Sequence, residues 1–467
     1  MQKKSQYPGL CNIVGRGSRR GESKGINVTQ GRQGVFPCNP VGEGHHYINN
    51  NKRQQLQTPS KEDQVTQTKG SVILDIDPGV DDALTLFLML LSPEVNLRAV
   101  TVVRGNTDIE NAKRNVITCL DAVYKHYEYL GIPLPGFAEL PFLAIGEGEP
   151  LNPSYAKGSD GFMGKDGFGD IFTLDMYKPP KNWQAMVYNS HGTKEDKTFF
   201  KSSPRQGGPE EILYQLEHAP PFTVTILAVG PLTNLATAYM LDPVVFHRAK
   251  QIIIMGGKVP ISEKVTSFSK GEFNFACDPD AAHIVLGTSK GFDQDIHTYG
   301  ARLKLFNEGK KAPMDIVLIP LDVGENQGRN SVTISKQDYF QYIVPLKTPL
   351  GIISTAMMDL GFVRDPERHL ERDNHQSLVS YDSISGVVLL DLFNDVFDQY
   401  WHSQYYSLRI ETRDITCLGA SLFDSSEITS SITDSDQTHH SHIRMVLYEK
   451  EPHYNQVLIS RLFSSNQ

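Results

Sequence analysis

Short runs of apolar, β-branched residues alternate along the chain with stretches of helical periodicity, and the alternation begins abruptly at Ser71. Ser71-Val-Ile-Leu-Asp-Ile-Asp77 is almost continuously apolar, which predicts a parallel strand buried on both faces rather than a half-exposed one. Pro78-Gly79 breaks it. Asp81 to Leu91 then reads as a helix with acids in its first turn. Leu97 to Val103 predicts a second strand. Thr107-Asp-Ile-Glu110 has the form of a capping box and opens a helix with apolar positions at Ile109, Ala112, Val116, Cys119 and Val123. Thr223 to Val229 predicts another buried strand, followed by a turn at Gly230-Pro231 and a helix through Met240. Gln251 to Met255 ends at Gly256-Gly257, and Asp315 to Leu321 adds one more strand. Strands alternating with helices in this way predict an α/β fold, with an open, mostly parallel, doubly wound (Rossmann-like) sheet covered by helices on both faces.

Three stretches depart from the pattern. Residues 1–68 lack hydrophobic periodicity and carry ten basic against four acidic side chains, a balance of +6 within a chain whose formal net charge is -9. This composition predicts a disordered basic extension preceding a domain over 69–467. Within that domain, Glu147 to Pro209 is polar and rich in Gly, Pro, Lys and aromatics, which predicts a long functional or disordered insertion. Asp424 to Ser441 is rich in Ser, Thr and Asp and predicts an exposed loop, with His439, His440 and His442 at its end.

The remainder of the chain carries -15. An acidic body repels a phosphate backbone, so no nucleic-acid polymer is expected as substrate. The five cysteines are scattered without CxxC spacing, which argues against a disulfide framework or zinc site and for a reducing, cytoplasmic compartment. Apolar runs such as Ala83 to Leu91 are too short for a membrane span, and no membrane partner is expected.

Candidate chemistry concentrates in Asp75-Ile-Asp-Pro-Gly-Val-Asp-Asp82, four carboxylates where a buried strand gives way to a helix. In open parallel sheets ligands bind at that edge. Unpaired carboxylates there would repel one another and lose solvation, and a hard divalent cation relieves both. Oxygen donors without His or Cys favour Ca²⁺ or Mg²⁺. Asp81 and Asp82 also fit a plainer role as helix-start acids favoured by the macrodipole, which leaves Asp75 and Asp77 unexplained. The segment alone admits two enzyme classes, since Asp-x-Asp at a strand end also opens Mg²⁺ phosphatases of the haloacid-dehalogenase type.

Asp75 to Ala83 resembles the N-terminal signature of the inosine–uridine-preferring nucleoside hydrolases. Further resemblances follow in order: Arg98 to Asn106, Ile226 to Ala236, Ile254 to Gly257, Glu272 to Ala282, Leu321 to Val323, and Tyr381-Asp382. The resemblance runs from Val72 to about Leu462. It implies the nucleoside hydrolase fold and hydrolysis of the N-glycosidic bond of a ribonucleoside, through an oxocarbenium-like transition state. It also implies site roles. Asp77, Asp82, Asp382 and the backbone carbonyl of Val229 would hold Ca²⁺, with Asp77 as the general base on a bound water. Asp81, Asn106 and Asn274 would bind the ribose hydroxyls, Glu272 would lie on the ribose side, and Met255 would pack on the sugar. Asp75 would support them from behind. The partner implied is a small ribonucleoside, and family members commonly form homo-oligomers.

Each residue has a plainer reading taken singly. Asn106 could cap the next helix, Asn274 satisfy a turn, Met255 fill the core, Glu272 pair with Lys270, and Asp382 be a loop acid. The chain also departs from the family on the leaving-group side. Tyr381 stands where a His usually precedes the last metal aspartate, with packing as its expected role. Met163-Gly164 stands in place of a His-Gly loop motif. His375, Trp401 and His402 are candidate substitutes. These departures leave the base open and admit a non-catalytic riboside-binding member of the fold as an alternative.

Overall fold

The computed structural model describes residues 70–155, 161–187, 199–258, 271–292, 299–325, 332–369, 377–423 and 443–464. The expected basic extension, Lys270, His375 and the 424–441 tract with His439, His440 and His442 lie outside the described residues. The chain divides into Met1–Gln64 and Val65–Gln467, and every described residue belongs to the second unit.

Nine strands form the central sheet: β1 (Gly70–Ile76), β2 (Val95–Val102), β3 (Phe142–Ile145), β4 (Lys201–Ser202), β5 (Val224–Ala228), β6 (Gln251–Met255), β7 (Ile316–Ile319), β8 (Trp401–Tyr406) and β9 (Ile443–Glu449). Their spatial order is β8-β9-β7-β6-β5-β1-β2-β3-β4. All neighbours are parallel except β8 and β9. The chain runs outward from β1 through β2 and β3 to β4, then returns to β5 on the other side of β1. The strand order therefore reverses between β1 and β5, where the register pairs Asp75 with Ala228. A crevice outside the carboxyl ends of such a strand pair is the usual ligand site of an open α/β sheet.

The apolar run of β1 serves both faces. Val72, Leu74 and Ile76 pack into a core built with helices α1 (Val80–Leu91) and α2 (Ile109–Leu130), while Ile73 packs on the other side with α3 (Gly208–Glu217) and α4 (Thr233–Leu241). Successive side chains of a strand point to opposite faces, so a strand covered twice reads as unbroken apolar sequence. A further helix completes the first layer after α5 (Phe273–Cys277): α6 (Tyr381–Phe393) lies against α1. Gly386 makes that approach close, since a Cβ there would stand 3.0 Å from Leu88 Cδ2. Leu84, Phe87 and Leu88 of α1 are fully buried, each contributing about 2 kcal/mol through area removed from water.

The structure adjusts several sequence expectations. β1 stops at Ile76, so Asp77 stands just past the strand end. The cap of α2 is Asp108 rather than Thr107, because the Asp108 carboxylate accepts the Asn111 backbone N–H at 2.9 Å. The 147–209 stretch is not a structureless loop. It supplies edge strand β4 and the start of α3, and its 161–172 part buries Phe168 and Ile171 completely. No described helix is long and apolar enough to cross a membrane.

Candidate active site

The carboxylate side chains converge because β1 and two helix starts end at one place. Asp77 follows β1, Asp81 and Asp82 occupy the first turn of α1, and Asp382 occupies the first turn of α6. All four are buried, and one carboxylate oxygen each from Asp81, Asp82 and Asp382 lie within 4.8 Å of one another. Acids at helix starts gain from the macrodipole, which covers the plainer reading of Asp81 and Asp82 in part and applies equally to Asp382, a first-turn residue here rather than a loop acid. That effect is worth about 0.3–1 kcal/mol per group, too little to hold several buried charges together unaided.

Backbone and amide donors fix the cluster. Asp82 closes the turn on itself, its carboxylate accepting the N–H of Asp77 at 3.0 Å and of Gly79 at 2.9 Å. Asn106, in the loop after β2, reaches across. Its backbone N–H donates to Asp77 Oδ2 at 2.7 Å, and its Nδ2 donates to the Asp77 carbonyl at 3.2 Å and to Asp82 Oδ2 at 3.1 Å. It braces two carboxylates and does not cap α2. Glycines make room for Asp77: a Cβ on Gly105 would overlap its Oδ2, and one on Gly230 would lie 2.7 Å from its Oδ1.

Behind the cluster, Asp75 lies within β1 with no exposed surface. Its Oδ1 accepts the Thr101 hydroxyl and Nδ2 of Asn234, the latter at 2.8 Å. Asn234 also donates to the Val102 carbonyl and accepts from Glu147 N–H, tying β1, β2 and the loop after β3 together. The Asp75 carbonyl receives the Val229 N–H at 2.9 Å. The far wall is α5. Asn274 Nδ2 donates to the carbonyl of Val229 at 2.8 Å, and to the carbonyl and sulfur of Met255 at 3.3 Å each. Glu272 caps α5. Its two oxygens accept backbone N–H groups of Gly257, Asn274 and Phe275 at 2.8–3.1 Å, so it holds the Gly256-Gly257 turn to the helix.

Burial dominates the electrostatics. It pushes Asp75 and Glu272 up to about 7 against the hydrogen bonds they accept. Burial, then the charge of Asp82, lifts Asp81 to about 7. Burial with the neighbouring carboxylates holds Asp77 and Asp382 well above the usual aspartate range, and burial raises Asp82 as well. The groups acting most strongly on the cluster are one another and hydrogen-bond donors, not basic side chains. Asp75 Oδ2, Asp77 Oδ1 and Asp81 Oδ1 are buried with no hydrogen-bond partner among the described residues. Orphaned anionic oxygens facing like charges suit a hard divalent cation. The compact trio contains Asp81 where the expected ligand set has Asp77. Asp77 nonetheless remains in direct reach of Asp82, which raises its pKa both by charge and through a side-chain hydrogen bond.

Of the expected substitutes for the missing histidines, the two among the described residues, Trp401 and His402, are engaged elsewhere. Trp401 is committed to Asp391 through Nε1 at 2.7 Å. Asp391 lies about 13 Å along α6 from Asp382 at 1.5 Å rise per residue. His402 stacks on Tyr448. Tyr381 packs against Gly324, where a Cβ would meet its ring at 2.9 Å. Single-sequence reading passed over Thr101 and Asn115 as supports of the site. For Asn115, the available signal was a polar residue on the apolar face of an amphipathic helix.

The family model described as inosine-uridine preferring nucleoside hydrolase matches residues 72–451. A probable uridine nucleosidase 2 of Arabidopsis thaliana is 32% identical over 215 residues, 46% of this chain and 55% of that protein. An inosine-uridine preferring nucleoside hydrolase of Leishmania major is 31% identical over 218 residues, 47% of this chain and 57% of that protein. The chain thus spans little more than half the length of these relatives. A solved plant nucleoside hydrolase superposes with a TM-score of 0.58 at 21% identity, covering 85% of this chain and 99% of that one.

Proposed function

This chain belongs to the inosine–uridine-preferring nucleoside hydrolase family, and on that premise we propose that it hydrolyses ribonucleosides to free base and ribose with a bound Ca²⁺. The observation that carries the proposal is the convergence of buried Asp81, Asp82 and Asp382 oxygens within 4.8 Å of one another beside the sheet's switch point.

Asp77, Asp82, Asp382 and the carbonyl of Val229 would hold the cation. Val229 gives one lone pair to Asn274 and keeps the second for a metal. When bound, the cation supplies positive charge that neutralises the carboxylates, acidifies a water and attracts the sugar diol. The residues of the chain do the rest. Asp77 accepts the water's proton at Oδ1, the oxygen that Asn106 leaves free. The water oxygen bonds to the anomeric carbon, the glycosidic electron pair leaves with the base, and the proton taken by Asp77 is released to solvent, from which the departing base is protonated. The neighbouring carboxylates stabilise the positive charge that grows on the ribose. Asp81 takes a ribose hydroxyl on its unpartnered oxygen. Asn106 and the amide oxygen of Asn274 take others. Glu272 keeps α5 and the Gly256-Gly257 turn in place on the ribose side, and Met255 packs against the sugar.

Buried partners that need sugar hydroxyls discriminate strongly against a sugar lacking one. The family match does not favour the phosphatase reading. The test is ribose release from a panel of ribonucleosides, with Ca²⁺ and with a chelator, for the wild type and Asp77→Ala. Calcium-supported release lost in the variant is expected. Riboside binding without release in every condition would make the chain a non-catalytic member.

A further inference from the structure

One buried side chain, Asn115, bonds both the 161–173 loop, which departs from the family's His-Gly motif, and the acidic turn. Asn115 lies on the apolar face of α2 and has no exposed surface. Its Nδ2 donates to the Pro78 carbonyl at 2.9 Å and to the Asp166 carbonyl at 3.2 Å. The first carbonyl belongs to the turn between Asp77 and the two acids of α1. The second is the centre of the loop. Asn115 Oδ1 is buried with no hydrogen-bond partner among the described residues, a desolvated acceptor the fold retains at a cost. Turning the amide over would set that oxygen against two carbonyls, so the donor orientation alone satisfies the site.

The loop itself is stiff. Asp166 Oδ1 accepts the backbone N–H groups of Phe168 and Asp170 at 2.8 Å each, and Oδ2 accepts that of Phe172 at 3.0 Å. Arg364 donates to the Gly169 carbonyl. Arg114, beside Asn115, lies 4.2 Å from the Phe172 ring centre. Gly167 sits at a φ of +67° against Thr107, the neighbour of Asn106, and a Cβ there would lie 2.5 Å from Thr107 Cβ. A body held at this many points cannot shift at Asp166 without moving the amide that also holds Pro78.

We propose that Asn115 is a positioning residue coupling the 161–173 loop to the Asp77–Gly79 turn, so that loop packing sets the carboxylate geometry and thereby cation affinity. The affinity part rests on the cation-site reading above, and the geometric part does not. The integrity of the loop is then felt through Asn115 at the turn that carries the acids.

Two readouts on the full chain test this. Hydrogen exchange at the amides of residues 77 and 79–83 is followed in metal-free protein for the wild type, Asn115→Leu, Asp166→Asn and the double variant. Ca²⁺ affinity is then measured by calorimetry for the same set. Each single substitution is expected to speed exchange in the turn. Asn115→Leu should weaken Ca²⁺ binding between about 10- and 100-fold, as loss of a partner behind metal ligands does. Asp166→Asn should weaken it at least about 3-fold in the wild type and not further in Asn115→Leu, because coupled sites are non-additive. A residue that only stabilises the fold would lower the melting temperature and give additive effects. Should Asn115→Leu not fold, Asn115→Thr takes its place. Wild-type turn exchange and affinity in Asp166→Asn, or additive effects, would overturn the coupling. Coupled exchange with no Ca²⁺ binding by the wild type would sink the cation reading and leave the coupling standing.

Discussion

Chelating divalent cations is expected to make the protein less stable at pH 8 than at pH 5. Burial raises Asp75 and Asp81 from 3.8, and Glu272 from 4.5, to about 7. A group whose folded pKa lies above its unfolded value contributes stability that is fully present below the unfolded pKa and is lost as pH rises through the folded one. The window is therefore about pH 4 to 7. From pH 5 upward each group crosses about 2 pH units, or roughly 3 kcal/mol. Counting half of that for three groups, because coupled buried acids share their protons, gives a loss of about 4 to 5 kcal/mol. Asp77, Asp82 and Asp382 shift in the same direction and add to it. With an unfolding entropy of about 2.1 cal/mol/K per residue, a domain of this size loses about 1 °C per kcal/mol, or about 5 °C in all. Differential scanning calorimetry in a chelator from pH 5 to 8 reads this directly. Saturating Ca²⁺ should flatten or reverse the slope, since it binds the ionised acids of the native state alone. A metal-free melting temperature that climbs from pH 5 to 8 would refute the reasoning.

Other outcomes follow from single contacts. Asp382→Ala removes one member of the oxygen trio and should weaken Ca²⁺ binding by at least about 10-fold by calorimetry; unchanged affinity would exclude Asp382 as a ligand. Asn106→Ala removes the amide that donates to the Asp82 carboxylate and the Asp77 carbonyl while keeping the backbone N–H on Asp77, and it should cut kcat/KM by about 10- to 100-fold in steady-state assays, whereas a wild-type value would reduce Asn106 to a loop residue. Gly105→Ala places a methyl on Asp77 Oδ2; it should abolish turnover and cost about 1–3 kcal/mol of stability in denaturant titration, and an active, stable variant would contradict the described packing. A 2′-deoxyribonucleoside should show kcat/KM lower by at least about 10³-fold than its ribo counterpart, and parity between the two would mean that the diol is not gripped.

What was legible in the sequence followed from periodicity and punctuation. β1, β2, β5 and β6 read as buried strands because their side chains are apolar on both faces. Pro78-Gly79 and Gly230-Pro231 marked the turns that follow β1 and β5. Four acids beside a buried strand end implied a cation on charge grounds alone. Asp382 was different: it comes from the far part of the chain, and only the ordered resemblance pointed to it, since local sequence says nothing of which distant helix start packs on α1. The antiparallel edge formed by β8 and β9 went unread because its strands are half-polar and far apart. Glu272 and Asn274 also carry structural contacts that the sequence did not show. Both oxygens of Glu272 are taken by backbone N–H groups, and the Asn274 amide N–H by Val229 and Met255, which only tertiary geometry reveals. Asn115 was hidden for the same reason, a lone amide within a helix whose period predicts only core.

The measurement that bears most directly on the acidic crevice is calcium titration of the chelator-treated protein at pH 7, repeated in buffers of different ionisation enthalpy so that released protons are counted. One Ca²⁺ per chain should bind and drive off at least one proton, because the raised carboxyls must ionise to hold it. No binding, or binding with no proton released, would contradict a cation held among Asp77, Asp82 and Asp382.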